Sequence, residues 1–211
     1  DRKSILKCLK EHLCNDSILI DFVEHLQVMD DAYESFSLLP PSKWTGHSWV
    51  GFYQFVESRM EINMWHFVNN PSGGFWNLCL NWGYWNHFPI YMQIEQGRLC
   101  FKGAFSEDET DLDTNKNDVN AIQDFIHNSL LAFARANNFE YVRRPSNHVH
   151  KGAYRTIAII EQNDWLGNPD TIMDADFVIS RLNMIIDFYN SFMRHMSTIK
   201  YEAAGLTIVA E

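Results

Sequence analysis

The chain contains 211 residues, of which 46% are hydrophobic and 21% are charged, a composition typical of a globular protein with one sizeable core. Its 17 Lys and Arg residues against 27 Asp and Glu residues give a net charge of −10. This balance excludes a broad phosphate-binding surface and restricts any nucleic-acid contact to a local patch. No apolar run approaches the roughly 18 residues of a membrane span, so we expect no membrane partner.

The cysteines indicate the cellular compartment. Cys8, Cys14, Cys79 and Cys100 form no Cys-x-x-Cys pair and are too few for a disulfide scaffold, so we expect reduced thiols in a cytoplasmic protein. No signal peptide is visible at the start of the sequence. Because the chain opens at Asp1 and not at Met, we expect a piece of a longer protein.

The first 40 residues are predicted to form a helical lead-in. Apolar residues recur at helical spacing in two series, which are Ile5, Leu9 and Leu13, then Ile18, Phe22, Leu26 and Met29. Asn15 or Asp16 supplies an N-cap for the second helix. Pro40 and Pro41 end this unit, and a third helix is predicted over residues 49–60.

The segment 65–104 is rich in aromatic and β-branched residues bounded by Pro and Gly, which predicts strands. Its clearest hairpin spans residues 91–102 and turns at Gln96 and Gly97. The apolar face of this hairpin carries Met92, Ile94, Leu99 and Phe101, and the polar face carries Gln93, Glu95, Arg98 and Lys102. We expect the first face in the core, and the second to be solvated or a binding surface.

Two more helices are predicted, one from Asn117 or Asp118 to about residue 138 and one starting at Asp174 or Asp176. Between them, residues 139–144 and 153–162 are predicted to be strands. This order predicts an α+β fold, with an antiparallel sheet of about five strands packed against helices. We expect a lead-in at 1–40 and an α+β domain at 41–211.

One stretch, residues 141–155, is locally basic, and no Asp or Glu occurs from residue 141 through 160. Its basic and imidazole side chains are Arg143, Arg144, His148, His150, Lys151 and Arg155. We predict that this loop contacts phosphate groups, with Arg98 and Lys102 of the hairpin as helpers. The alternative interpretation is a solvated loop whose charge balances the acidic segment 106–118.

Patterns for catalysis or metal binding are weak. His148 and His150 point to the same side of a strand, but no third ligand is fixed by spacing, so no metal is predicted. Residues 111–115 match the opening of a calcium loop, but Lys116 and Ile122 replace the required Gly and Glu. No Gly-x-Ser-x-Gly elbow is present. We predict no catalytic residue and no cofactor in this chain.

The aromatic cluster over residues 75–91 is either core or a platform on which a flat group stacks. Simple alternation places Trp76, Leu78, Leu80 and Trp82 on one side, which we expect to face the helices. Phe75, Trp85 and Tyr91 are then the candidates for an exposed stacking surface.

Several motifs together resemble the C-terminal part of a bacterial group in the PD-(D/E)XK nuclease superfamily. They are a Trp-x-x-Phe-Tyr helix at residues 49–53, an Asn-Pro-Ser-Gly-Gly-Phe-Trp strand at 70–76, a Gln-Ile-Glu…Leu-Cys-Phe-Lys hairpin at 93–102, and the last helix with Phe-Tyr-Asn-Ser-Phe at 188–192. The similarity covers roughly residues 44–196. It implies that the nuclease motif lies upstream, so a divalent metal is expected only in an upstream nuclease domain.

The leading hypothesis is a non-catalytic accessory module of a nuclease-like protein that contacts DNA, RNA or a nucleotide-like ligand. The basic loop and the polar hairpin face would provide the contacts, with Phe75 and Trp85 as stacking residues. The second hypothesis is a protein-interaction or dimerisation module that uses helices 2–39 against an upstream nuclease domain or a second copy. The third hypothesis, that the chain is itself an enzyme, would require a metal ion bound by His148 and His150.

Overall fold

The computed structural model describes residues 2–12, 16–60, 62, 64–105, 116–146 and 152–199. Its helices are α1 Arg2–Glu11, α2 Ser17–Glu34, α3 Gly46–Met60, α4 Lys116–Ala136, the short α5 Gln162–Trp165, and α6 Ala175–Ser197. Its strands are β1 Trp65–Val68, β2 Phe75–Trp85, β3 Phe88–Glu95, β4 Arg98–Ala104, β5 Val142–Arg143 and β6 Tyr154–Ile160. They form two compact units. The first holds the described residues up to 60 with 168–173, and the second holds the other described residues.

The first unit contains the three predicted helices, and local capping explains where two of them begin. The Asp16 carboxylate accepts hydrogen bonds from the backbone N–H groups of Ile18 (2.9 Å) and Leu19 (3.4 Å), so α2 begins as predicted. Helix α3 begins three residues before its predicted start at residue 49. The Thr45 N–H donates to the Ser48 hydroxyl at 2.9 Å and the Ser48 N–H donates to the Thr45 hydroxyl at 3.4 Å, a reciprocal cap at that end.

Aromatic rings pack this helical unit. The Trp44 ring lies 4.7 Å from that of Trp49 and 5.3 Å from that of Phe52. Gly51 permits a close approach of α3 to the end of α2, since a Cβ there would lie 1.8 Å from the Tyr33 carbonyl oxygen. The predicted apolar series of α2 is only partly covered, because Ile18 is 79% exposed.

The second unit is built on a six-stranded antiparallel sheet with the order β1-β2-β3-β4-β6-β5. The α+β prediction is confirmed, with six strands where about five were expected, and the strand predicted at residues 139–144 is present as the two-residue β5. The predicted hairpin is present in register, with Tyr91 opposite Lys102 and Glu95 opposite Arg98. Its turn places Gln96 at a φ of 51°.

Helices α4 and α6 pack on one face of this sheet. The Tyr189 hydroxyl of α6 donates a 2.6 Å hydrogen bond to the Ile90 carbonyl of β3. On α4, the Phe125 ring stacks on Trp85 at 5.1 Å. The predicted apolar stripe of α6 is entirely buried; its members are Val178, Leu182, Ile185, Tyr189, Phe192 and Met196. Burying each such side chain contributes about 1.5–3 kcal/mol. None of the helices described is both long enough and apolar enough to cross a membrane.

A β-bulge in β2 reverses two sequence-based expectations. Leu78 lies opposite Ile94, but the register shifts between Cys79 and Asn81, so Trp82 lies opposite Tyr91. The extra residue changes the alternation phase of the strand. Trp82 therefore shares a face with Tyr91, and the expectation that it faces the helices is wrong. Trp85 moves into the core and is only 1% exposed, so the expectation of an exposed Trp85 is wrong as well.

Candidate functional site

The sheet face opposite α4 and α6 carries a cavity of about 370 Å³, which we call the sheet-face pocket. It is lined by Met64, His66, Val68, Phe75, Asn77, Cys79, Trp82, Tyr91, Gln93, Lys102 and Tyr154. Apart from Met64, which precedes β1, these residues come from β1, β2, β3, β4 and β6. The volume lies near the lower end of the range of about 300–1,000 Å³ that small-molecule sites occupy.

Strand alternation and register assemble this pocket. Tyr91 and Gln93 alternate in β3 with residues that face the helices, so their side chains point to the opposite face. The pairing of β3 with its neighbours places Trp82 and Lys102 on either side of Tyr91. The same pairing places Cys79 beside Gln93.

Aromatic side chains form one part of the pocket. The Trp82 ring stacks on the Tyr91 ring with centroids 4.4 Å apart and an interplanar angle of 12°. Tyr91 is buried, whereas Trp82 is 38% exposed. One face of the indole is thus supported by Tyr91 while part of its surface remains open. Phe75 and Tyr154 contribute two more rings to the lining.

Buried amides form the polar part of the pocket. The Lys102 ammonium and the Gln93 amide both donate to Glu95 Oε1, at 2.6 Å and 2.5 Å. The Asn77 amide donates to Gln93 Oε1 at 3.4 Å. Asn77 and Gln93 are 4% and 5% exposed, and Asn77 Oδ1 has no hydrogen-bond partner among the described residues. A buried polar atom without a partner is uncommon in folded proteins.

The pocket is close to electrically neutral. Glu95 balances Lys102, and the lysine ammonium has three donors, of which the Glu95 contact uses one. Burial raises the pKa of the Cys79 thiol, although a hydrogen bond to the Asn81 backbone works in the opposite direction. The thiol is therefore protonated at neutral pH, and a protonated thiol is a poor nucleophile.

The described arginines of the basic stretch, Arg143, Arg144 and Arg155, do not line this pocket. Arg143 donates to the Asp164 carboxylate at 2.9 Å, and Arg144 lies 3.8 Å from that of Asp124. Both arginines are exposed. His148, His150 and Lys151 lie outside the described residues, so their part in phosphate binding stays a prediction.

Arg155 is held inside the protein. It is 6% exposed, and its guanidinium donates to the Gly152 carbonyl (2.9 Å), Asn120 Oδ1 (2.8 Å) and Gln123 Oε1 (3.1 Å). It also lies 5.5 Å from the centre of the Phe105 ring. Burial lowers the pKa of Arg155. The contacts with Asn120 and Gln123 connect β6 to α4, so the Arg155 guanidinium is occupied within the fold and is not available to a ligand.

The other predicted site residues divide between the pocket and elsewhere. Lys102 and Phe75 line the pocket, Arg98 is exposed at the start of β4, and Trp85 is in the core. Sequence reasoning missed Asn77 and Trp82 as site residues. Asn77 was detectable, because it lies on the face of β2 that alternation assigns to Cys79, but Trp82 was not, because the bulge leaves no clear sequence signal.

Elsewhere the described residues contain further cavities but no cluster of metal-binding side chains. Across the ranges that the structure covers, no group of three His, Cys, Asp or Glu side chains is placed to hold a metal ion. The helical unit has a larger cavity of about 760 Å³, lined mainly by Tyr33, Glu34, Phe36, Gln54, Phe55 and Glu57 with their neighbours. The acidic segment 106–115 lies outside the described residues.

Comparison with known proteins adds no relative. No protein-family model, no curated protein and no solved structure matches the chain. The resemblance to the nuclease superfamily therefore stays a prediction.

Proposed function

We propose that this chain is a non-catalytic binding module whose sheet-face pocket holds one nucleobase, belonging to a free nucleotide or to a single strand of nucleic acid. The observation that carries the proposal is the stacked pair Trp82 and Tyr91 beside the buried amides of Asn77 and Gln93, in one cavity. Proteins recognise single bases by this combination, with an aromatic ring against the base face and polar groups at its edge.

Size and charge both favour a single base over a duplex. A cavity of about 370 Å³ suits a ligand of nucleobase or nucleoside size. The net charge of −10 opposes contact with many phosphates at once. In the pocket, Lys102 is the cation available for one phosphate or carbonyl group of the ligand. The basic side chains at residues 143–151 then serve as a secondary phosphate contact in the case of a nucleic-acid strand.

The cellular setting belongs to the same proposal. The motif resemblance supports an accessory role beside an upstream nuclease domain, which would hold any divalent metal. The free thiols Cys8, Cys79 and Cys100 support a reducing, cytoplasmic location. The protonated Cys79 thiol supports a binding role in preference to nucleophilic chemistry in the pocket.

Calorimetric titration with adenosine monophosphate, cytidine monophosphate and short single-stranded DNA and RNA tests the proposal. Trp82→Ala removes the stacking surface, which contributes about 1–3 kcal/mol per base, so we expect affinity to fall by about tenfold or more. Phe177→Ala is the matched control, because Phe177 is also 38% exposed and lies on α6, outside the pocket lining. Absence of binding by all four ligands, or equal losses in both variants, would reject the proposal.

A second candidate function is self-association through the helical unit. It is favoured by the exposed apolar side chains of α2, where Ile18 is 79% and Phe22 is 49% exposed. Light scattering of the chain and of an Ile18→Glu, Phe22→Glu variant tests this function. A dimeric mass that becomes monomeric in the variant would support it, and a monomeric mass for the unmodified chain at high concentration would reject it.

A further inference from the structure

We infer that the base held by the sheet-face pocket belongs to a single strand of DNA or RNA, because Tyr84 provides a second stacking surface directly beyond Trp82. The inference rests on the proposed function, since it decides between the two sources of the base that this function leaves open. A free mononucleotide would use Trp82 alone, whereas two successive bases of a strand would use both rings.

Strand β2 places the two rings side by side on the face that carries the pocket. Residues two apart in a strand point to the same side of the sheet, and the bulge lies before both Trp82 and Tyr84, so their alternation is regular. Their ring centroids are 6.5 Å apart and their planes are inclined by 63°. Two rings at this angle suit successive bases that are splayed apart and stack on the protein in place of each other.

The second base would lie outside the pocket. The cavity of about 370 Å³ suits one nucleobase or nucleoside, and Tyr84 is not among the residues that line it. Tyr84 is 61% exposed, so most of its side chain is open to a ligand. Covering an exposed aromatic ring with the flat face of a base removes apolar surface from water on both partners. The ring therefore extends the stacking surface by one base beyond the cavity.

The charge around these rings permits a phosphate between the two bases. No Asp, Glu, Lys or Arg occurs from residue 62 through 94, so the acidic residues behind the net charge of −10 all lie elsewhere in the sequence. The described lining of the pocket contains one charged side chain, Lys102, which lies in register with Trp82 and Tyr91 across three strands. Because salt screens charges beyond about 8–10 Å, this local balance outweighs the net charge for one phosphate.

Calorimetric titration of the full chain with matched adenine dinucleotides tests the inference. One ligand carries both bases, and two others of the same length carry an abasic residue in place of one base or the other. All three have the same phosphates and differ only in the second base. We expect the complete dinucleotide to bind at least about tenfold more tightly than either abasic form, and than adenosine monophosphate.

The variant Tyr84→Ala tests which ring receives the second base. We expect its affinity for the complete dinucleotide to fall to that of the abasic forms, while its affinity for adenosine monophosphate changes by less than about twofold. Tyr84→Phe keeps the ring and should keep the affinity for the dinucleotide. Phe177→Ala is the control, because it also removes an exposed ring but lies on α6, outside the pocket lining.

The possible results separate the inference from the function beneath it. Equal affinities for the complete and the abasic dinucleotides overturn the inference and leave the binding of one base in place. Equal losses of mononucleotide and dinucleotide affinity in Tyr84→Ala overturn the role of Tyr84 as a second stacking surface. Failure of adenosine monophosphate and all three dinucleotides to bind rejects the proposed function itself, and would leave this aromatic face to a protein partner.

Discussion

Substitution of Arg155 tests whether this residue stabilises the fold or binds a phosphate group of the ligand. Arg155→Met keeps most of the aliphatic stem and removes the guanidinium, with its three hydrogen bonds to Gly152, Asn120 and Gln123. Each bond to a charged group contributes about 1.5–3 kcal/mol, but the burial of the guanidinium offsets part of this. We therefore expect the free energy of unfolding to fall by about 3 kcal/mol, or about 6–12 °C in Tm.

Urea and thermal denaturation measure the loss, and calorimetry at a temperature where both proteins are folded measures nucleotide affinity. We expect the affinity of Arg155→Met to match that of the unmodified chain. Arg143→Met is the control, because Arg143 is exposed and its ion pair with Asp164 contributes less than about 1 kcal/mol. An Arg155→Met protein with unchanged stability and weakened nucleotide binding would refute the structural role and restore the phosphate contact.

Three further predictions concern stability. Tyr189→Phe loses the 2.6 Å hydrogen bond to β3, so urea denaturation should show a loss of about 1–2 kcal/mol with nucleotide affinity unchanged. Burial raises the pKa values of Cys100 and Tyr189, so the unfolded chain loses a proton that the folded chain keeps above about pH 9 at the thiol and above about pH 10 at the phenol. The contribution of each group to stability should be full below its onset and fall above it by about 1.4 kcal/mol per pH unit. A stability curve that stayed flat in denaturation experiments at stepped pH values would contradict this. Gly74→Ala, at φ 82° with a Cβ 2.5 Å from the Val68 carbonyl, should lower Tm more than Gly73→Ala, where a Cβ meets no atom within 4 Å; equal losses would contradict the steric argument.

Helices and hairpins were predictable from the sequence because their signals are local. The apolar stripe of α6 from Val178 to Met196 is buried as its spacing predicts, and Asp174 caps the helix. The exposure of Ile18, which is 79%, was not predictable in the same way. Spacing identifies an apolar helix face, but whether that face is covered depends on contacts that spacing does not encode.

The candidate site was predictable only in part, because one extra residue in a strand reverses the face assigned to every side chain that follows it. The polar hairpin face was predicted, and Lys102 lines the pocket on that face. One extra residue at the bulge then exchanges the roles of Trp82 and Trp85. Arg155 shows a different limit, since local composition identifies a cation but not the buried acceptors, Asn120 and Gln123, that it meets from α4.

The salt dependence of ligand affinity shows whether the sheet-face pocket or the basic loop contributes most of the binding free energy. Because Lys102 is balanced by Glu95, nucleoside binding should release few counterions and change by less than about twofold between about 50 and 200 mM salt. A strand that also contacts Arg143 and Arg144 should show a steeper slope, which falls by about one for each arginine removed. Titration of adenosine and of an adenine oligonucleotide at several salt concentrations measures both slopes. A steep slope for adenosine itself would contradict a neutral pocket, whereas a flat slope for the oligonucleotide would remove the basic loop from the interface.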